Sequence, residues 1–222
     1  MRKIDFVVGN FYHIYNRGVE KRDIFLDEKD FYRFIDYLYI FNDEKPMRYY
    51  FPQGPTSQNR EREKIVGVLC YALLPNHFHL ILTPLKDGGI TQFMRKLLTG
   101  YVMYFNEKYK RTGTLFESKF KAKIIENDAY FCHSTRYIHL NSLKLIMPEW
   151  KEEGVKNWER AIDFLVNYKW SSLSFYLYRK NFLNIIEEKL VENSLEVGLG
   201  EKYLQFLKEW LPNSNCEVGP RK

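Results

Sequence analysis

Leu74-Pro75-Asn76-His77-Phe78-His79-Leu80 is the stretch on which the fold turns. Before it runs Ile65 to Leu73, an apolar segment suited to a buried strand. Pro75-Asn76 is turn chemistry, because proline fixes φ and asparagine tolerates tight local geometry. His77 to Thr83 then returns as a second strand, so the stretch predicts a β-hairpin. Side chains alternate along a strand, which sends His77 and His79 to one face and Phe78 to the other. Imidazoles beside a core phenylalanine are costly to bury alone, so a third polar group is expected opposite them.

Working outward, Phe11-Tyr12-His13-Ile14-Tyr15-Asn16 is rich in β-formers and predicts a first strand ending near Gly18. Asp27 is a cap for a helix to about Phe41, with Phe31, Phe34, Ile35 and Leu38 on one face. Residues 42–64 are polar and broken by Pro46, Pro52, Gly54 and Pro55, which predicts a long loop. Gly88-Gly89 precedes a helix from about Ile90 to Tyr109, and Thr112-Gly113 a basic strand from about Leu115 to Ile125. Asn127 or Asp128 caps a helix to about Leu140. Trp158 to Tyr178 and Ile185 to Trp210 read as later helices, and the tail after Pro212 as loose. Strand, helix, strand, strand, helix, strand, helix predicts an α+β fold. It is a ferredoxin-like split βαβ sandwich, a central antiparallel sheet covered by helices. Such a fold licenses no function by itself.

Composition narrows the class. A hydrophobic fraction of 45% across 222 residues is enough for a real core, which excludes a disordered chain. No stretch reaches the roughly 18–20 apolar residues of a membrane span. The first residues lack an apolar signal region, and Cys70, Cys132 and Cys216 are too far apart for a CxxC pair. Both features suit a cytoplasmic protein with no membrane partner. Thr91 to Ile125 holds eight basic residues against two acidic ones, which equals the net charge of +6 for the whole chain. A polyanion meeting that segment gains from counterion release, so nucleic acid is the expected partner; a solvated lysine face is the plain alternative.

Two imidazoles on one strand face can chelate a divalent cation and leave positions for a third ligand, water or a phosphate oxygen. Taken alone, such a pair reads first as exposed or hydrogen-bonded histidines on a sheet face. A closed zinc site lacks its cysteines. On the predicted helix after Asn127, His133, Tyr137 and Asn141 recur at four-residue spacing. If that stripe faces the histidines, Asn141 can complete a metal shell while Tyr137 approaches a metal-bound phosphate. A phenolate is a competent nucleophile toward a phosphodiester, and a metal polarises the phosphoryl oxygens. With 17 tyrosines in the chain, a structural role is the default for any one of them.

Five segments in order change that balance. They are Tyr12-His13-Ile14-Tyr15-Asn16-Arg17-Gly18, Leu74 to Leu80, Gly113 to Lys121, Arg136-Tyr137-Ile138-His139-Leu140-Asn141 and Tyr168-Lys169-Trp170-Ser171-Ser172. Together, over Phe11 to Tyr178, they resemble the single-tyrosine HUH transposases of the insertion-sequence type. Among these, the REP-associated tyrosine transposases are the nearest branch. The resemblance implies the HUH nuclease fold over residues 1–145, while the later helices read as an accessory helical region over 146–212 and the end of the chain as a tail over 213–222. It implies a metal-dependent single-stranded DNA endonuclease and strand transferase, with His77, His79 and Asn141 as ligands for Mg²⁺ or Mn²⁺. Tyr137 matches the nucleophile that becomes linked to a 5′ phosphate, and a DNA hairpin is the expected recognition element. Ser142 stands where the family usually has proline, His139 where an acidic residue is common, and Lys119 where arginine is commoner.

Arg17, Arg95, Lys119, Lys121 and Lys123 are the candidates for contacting phosphates of single-stranded or hairpin DNA. A domesticated DNA-binding protein that no longer cleaves is the alternative, and an RNA-processing nuclease a third reading. Monomer and homodimer both fit the resemblance.

Overall fold

A computed structural model of the chain describes residues 4–45 and 62–210. Most of the expected loop, residues 46–61, and the expected tail lie outside the described residues. Four strands, β1 (Phe11–Arg17), β2 (Val66–Leu74), β3 (His77–Pro84) and β4 (Lys121–Ile125), form one sheet in the order β2-β3-β1-β4. Every neighbouring pair is antiparallel. That is the split βαβ arrangement, with β3 inserted between β1 and β2, and it is built on the predicted hairpin.

Helices α1 (Glu28–Ile40) and α2 (Gly89–Lys108) cover the face that carries Phe78. Asp27 and Asp30 form a reciprocal capping box at the start of α1, satisfying backbone donors that a helix end leaves open. Phe34 of α1 meets Phe78 at a ring separation of 5.1 Å and Tyr101 of α2 at 5.0 Å. Each such ring, once buried, contributes about 1.5–3 kcal/mol by removal from water. Lys108 reaches Asp27 and the buried Asp30, and the hydroxyls of Tyr104 and Tyr109 donate to Asp30, which ties the end of α2 to the start of α1.

The opposite face is covered by α3 (Asp128–Leu140), capped by the Asn127 side chain, and by shorter helices that follow. These are α4 (Trp150–Glu153), α5 (Trp158–Asn167), α6 (Leu173–Tyr178), α7 (Glu188–Ser194) and α8 (Glu201–Lys208). The two long later helices expected from periodicity are therefore interrupted. Between α5 and α6 the chain runs along β2, with Leu73 N–H donating to Trp170 and Ser172 N–H to Tyr71. An exposed strand edge is a liability, and closing it outweighs the local helical preference there. The basic strand is likewise shorter than expected. Residues 115–117 instead bond to the end of β1, through Val19 N–H to Leu115 and Glu117 N–H to Arg17.

Candidate active site

Strand register decides which side chains meet. β1 and β3 pair Tyr15 with His79 and Arg17 with His77, while β1 and β4 pair Tyr15 with Lys121 and His13 with Lys123. Directly opposed residues share a face, so His13, Tyr15, Arg17, His77, His79, Lys121 and Lys123 all stand on the side covered by α3.

Helix α3 and the Asn141 that follows its last residue bring Tyr137 and Asn141 to the same place. The Tyr137 ring lies 5.8 Å from that of His79, nearly perpendicular to it, and 6.4 Å from that of His13. Nδ2 of Asn141 lies 2.7 Å from Nε2 of His79, and Nε2 of His13 lies 2.9 Å from Nδ1 of His79. An amide nitrogen only donates, so Nε2 of His79 accepts and the proton of this neutral ring sits on Nδ1, shared with His13. His77, next along the strand, is 5.1 Å from His79 by ring centres, and its Nδ1 is held at 2.6 Å by Oδ1 of Asn76. A carboxamide oxygen only accepts, so Nε2 of His77 also carries a lone pair.

Among the described residues no three His, Cys, Asp or Glu side chains converge to hold a metal ion. A cation here would need the carboxamide as well as the imidazoles. The donor set fits that role. The carboxamide of Asn141 stands beside the Nε2 lone pair of His79, with Nδ2 2.7 Å away, so the two side chains could serve one cation. Turning that amide over presents its oxygen instead of its nitrogen. His77, His79 and Asn141 are thus the residues that could hold a divalent cation.

The surroundings are cationic and largely buried. Burial, then Lys151, Lys144 and Arg17, lowers His77 to about 3. Burial, then His13, holds His79 well below the usual histidine value. Both rings are therefore neutral, which is the state a metal requires. Burial, with a smaller contribution from Tyr15, pushes the phenol of Tyr137 up. Its hydroxyl accepts a hydrogen bond of 3.0 Å from Nζ of Lys151. Burial, followed by Lys144, lowers Lys151 to about 8. Such a cluster of cations favours an anion such as phosphate.

Not every expected residue joins this site. His133 turns away to Arg136 and Phe206. Four residues advance a helix about 40° beyond a full turn, so the eight between His133 and Asn141 displace them by about 80°. Arg95 is exposed on α2, in the layer on the other side of the sheet. Lys119 is exposed just before β4, and Arg17 and Lys121 both bond Glu117. Three residues were missed by sequence reasoning: His13, Lys144 and Lys151. His13 alternates with Tyr15 and Arg17 in the first strand, so its face was readable once β1 was placed beside β3. Nothing local distinguishes Lys144 or Lys151 from surface lysines.

No family model matches the chain, and no curated protein matches it. Among solved structures, that of a REP-associated tyrosine transposase bound to a REP hairpin is similar, with a TM-score of 0.51 over 82% of this chain and 84% of that one. Identity is 13%, so the likeness establishes a shared fold: a four-stranded antiparallel sheet layered with helices. Among the described residues no helix is long and apolar enough to cross a membrane.

Proposed function

We propose that this protein is a metal-dependent single-stranded DNA endonuclease and strand transferase that works through a 5′-phosphotyrosine bond at Tyr137. The observation that carries the reading is the meeting of His77, His79, Asn141 and Tyr137 on one sheet face, with Asn141 2.7 Å from His79 and the Tyr137 ring 5.8 Å away. Mg²⁺ or Mn²⁺ held by His77, His79 and Asn141 would polarise the phosphoryl oxygens. The chain's own residues do the rest: Tyr137 attacks phosphorus, and Arg17, Lys121 and Lys123 on the same face draw the DNA backbone toward it. The structural neighbour is bound to a REP hairpin, and this supports a hairpin as the element recognised here.

The test is incubation with a pool of hairpin-bearing single-stranded oligonucleotides and Mn²⁺, followed by denaturing electrophoresis. Wild-type protein should form a denaturant-resistant adduct, and Tyr137→Phe should form none while still shifting DNA in a native gel. An adduct undiminished in Tyr137→Phe overturns the tyrosine assignment. One observation favours the non-cleaving alternative: Tyr137 is only 5% exposed, so a phosphate reaches it only if neighbouring groups give way. Native shifts with no adduct from wild-type protein would favour that binder. Matched RNA hairpins in the same assay separate an RNA nuclease from a DNA enzyme.

A further inference from the structure

The hydroxyl of Tyr137 is held by a residue from outside the sheet and α3. Nζ of Lys151 donates to it at 3.0 Å and lies 4.5 Å from the centre of its ring. Lys151 is the second residue of α4, and the first, Trp150, is 1% exposed and packs on Trp210 at 5.2 Å. That anchor fixes where the lysine stem can go. A surface ammonium ordinarily stays in water or pairs with a carboxylate. This one is half-buried and turned onto a phenol.

We propose that Lys151 is a catalytic residue, its ammonium stabilising the negative charge of the Tyr137 oxygen both when that oxygen attacks and when it leaves. The inference rests on the function proposed above. In cleavage the bond from Oη to phosphorus forms as the bond from phosphorus to the 3′ oxygen breaks. The phenolic proton passes to water, and the departing 3′ oxygen takes a proton from water. In rejoining, a 3′ hydroxyl gives its proton to water and attacks phosphorus, while the bond to Oη breaks and returns the phenolate. Each direction places an anionic oxygen where Lys151 donates. A donor aimed at developing charge in a water-poor site stabilises it far more than in bulk water. Burial makes the Tyr137 anion unfavourable without such a partner, and at about 8 Lys151 is still mostly charged near neutral pH.

The experiment uses the full chain, the same oligonucleotide pool and Mn²⁺, and measures the initial rate of adduct formation. Lys151→Met should slow it about 100-fold at saturating protein, the typical effect of removing one such donor, so that any loss of DNA affinity does not enter the rate. Lys151→Arg should retain most of the rate. Replacing Tyr137 by a trifluorinated tyrosine, whose anion is more stable, should restore about tenfold or more to Lys151→Met and little to wild type. A Lys151→Met rate within about threefold of wild type overturns the inference. So does a slow variant that the fluorinated tyrosine does not restore, because a packing role has no dependence on phenol acidity. Wild-type protein that makes no adduct removes the proposed function itself, a result separate from either.

Discussion

His13 and His79 share a hydrogen bond of 2.9 Å between adjacent strands, and it sets which nitrogen of His79 faces α3. With the proton held between the two rings, the lone pair of Nε2 points at Asn141. A group that orients a metal ligand in this way usually supports about 10–100-fold in metal affinity. His13→Phe keeps a ring of similar size and removes the acceptor. Titration of the purified protein with Mn²⁺, followed by electron paramagnetic resonance, should therefore show weaker binding by about that factor. Equal affinity in the variant would mean that His13 does not support the ligand.

Legibility in the sequence followed the range of the interaction. Asp27 and Asn127 cap their helices through bonds to residues three positions on, and the Pro75-Asn76 turn is equally local. The two periodicities paired His77 with His79 and Tyr137 with Asn141, but only the resemblance carried by five ordered segments pointed the one pair at the other. Lys151 was not, because only the packing of Trp150 against Trp210 brings it to the phenol. The break at Tyr168 to Ser172 was hidden for a related reason. Its cause is the open edge of β2, and local helical pattern carries no sign of a neighbouring edge.

The layered arrangement makes a prediction about DNA. Lys121 and Lys123 stand on the histidine face and Lys119 just before them, whereas Arg95 lies on α2 across the sheet. Affinity for single strands falls with salt by about 0.7 per phosphate neutralised on a log–log scale. Replacing the three lysines by glutamine should flatten that slope by about 2, and Arg95→Gln should leave it unchanged. Fluorescence anisotropy over a salt series measures both. A flattened slope for Arg95→Gln alone would put the DNA on the other layer.

His139 joins three parts of the molecule. Buried completely, it meets Tyr203 of α8 at 2.8 Å, the Ser172 hydroxyl at 2.9 Å and the Cys70 sulfur of β2 at 3.4 Å. Ser172 also accepts from the backbone N–H of Tyr71. Ser172→Ala leaves buried polar groups on both sides without that partner, at about 1–3 kcal/mol. For a chain of this size each kcal/mol lowers Tm by about 2–4 °C. A fall of about 3–10 °C is expected by differential scanning calorimetry, with Mn²⁺ affinity unaltered. No fall in Tm would show that the network does not hold the later helices to α3.

Gly18 ends β1 where three segments cross. Its N–H donates to Asn76 in the hairpin turn, its carbonyl accepts from Lys21, and it bridges to Phe116. A Cβ placed there would lie 2.1 Å from the carbonyl oxygen of Arg22 and 3.0 Å from Ile24. The first contact is with backbone, so the turn itself must move, and with it Arg17 beside His77. Gly18→Ala should cost about 2–4 kcal/mol, in the range of severe steric substitutions, and lower Tm by about 5–15 °C. The same displacement should disturb the pairing of Arg17 with Glu117, now 2.9 Å apart, and reduce DNA affinity in parallel. A variant as stable as the parent would mean that the turn can open without strain, and Arg17 is then positioned by its ion pair rather than by the glycine.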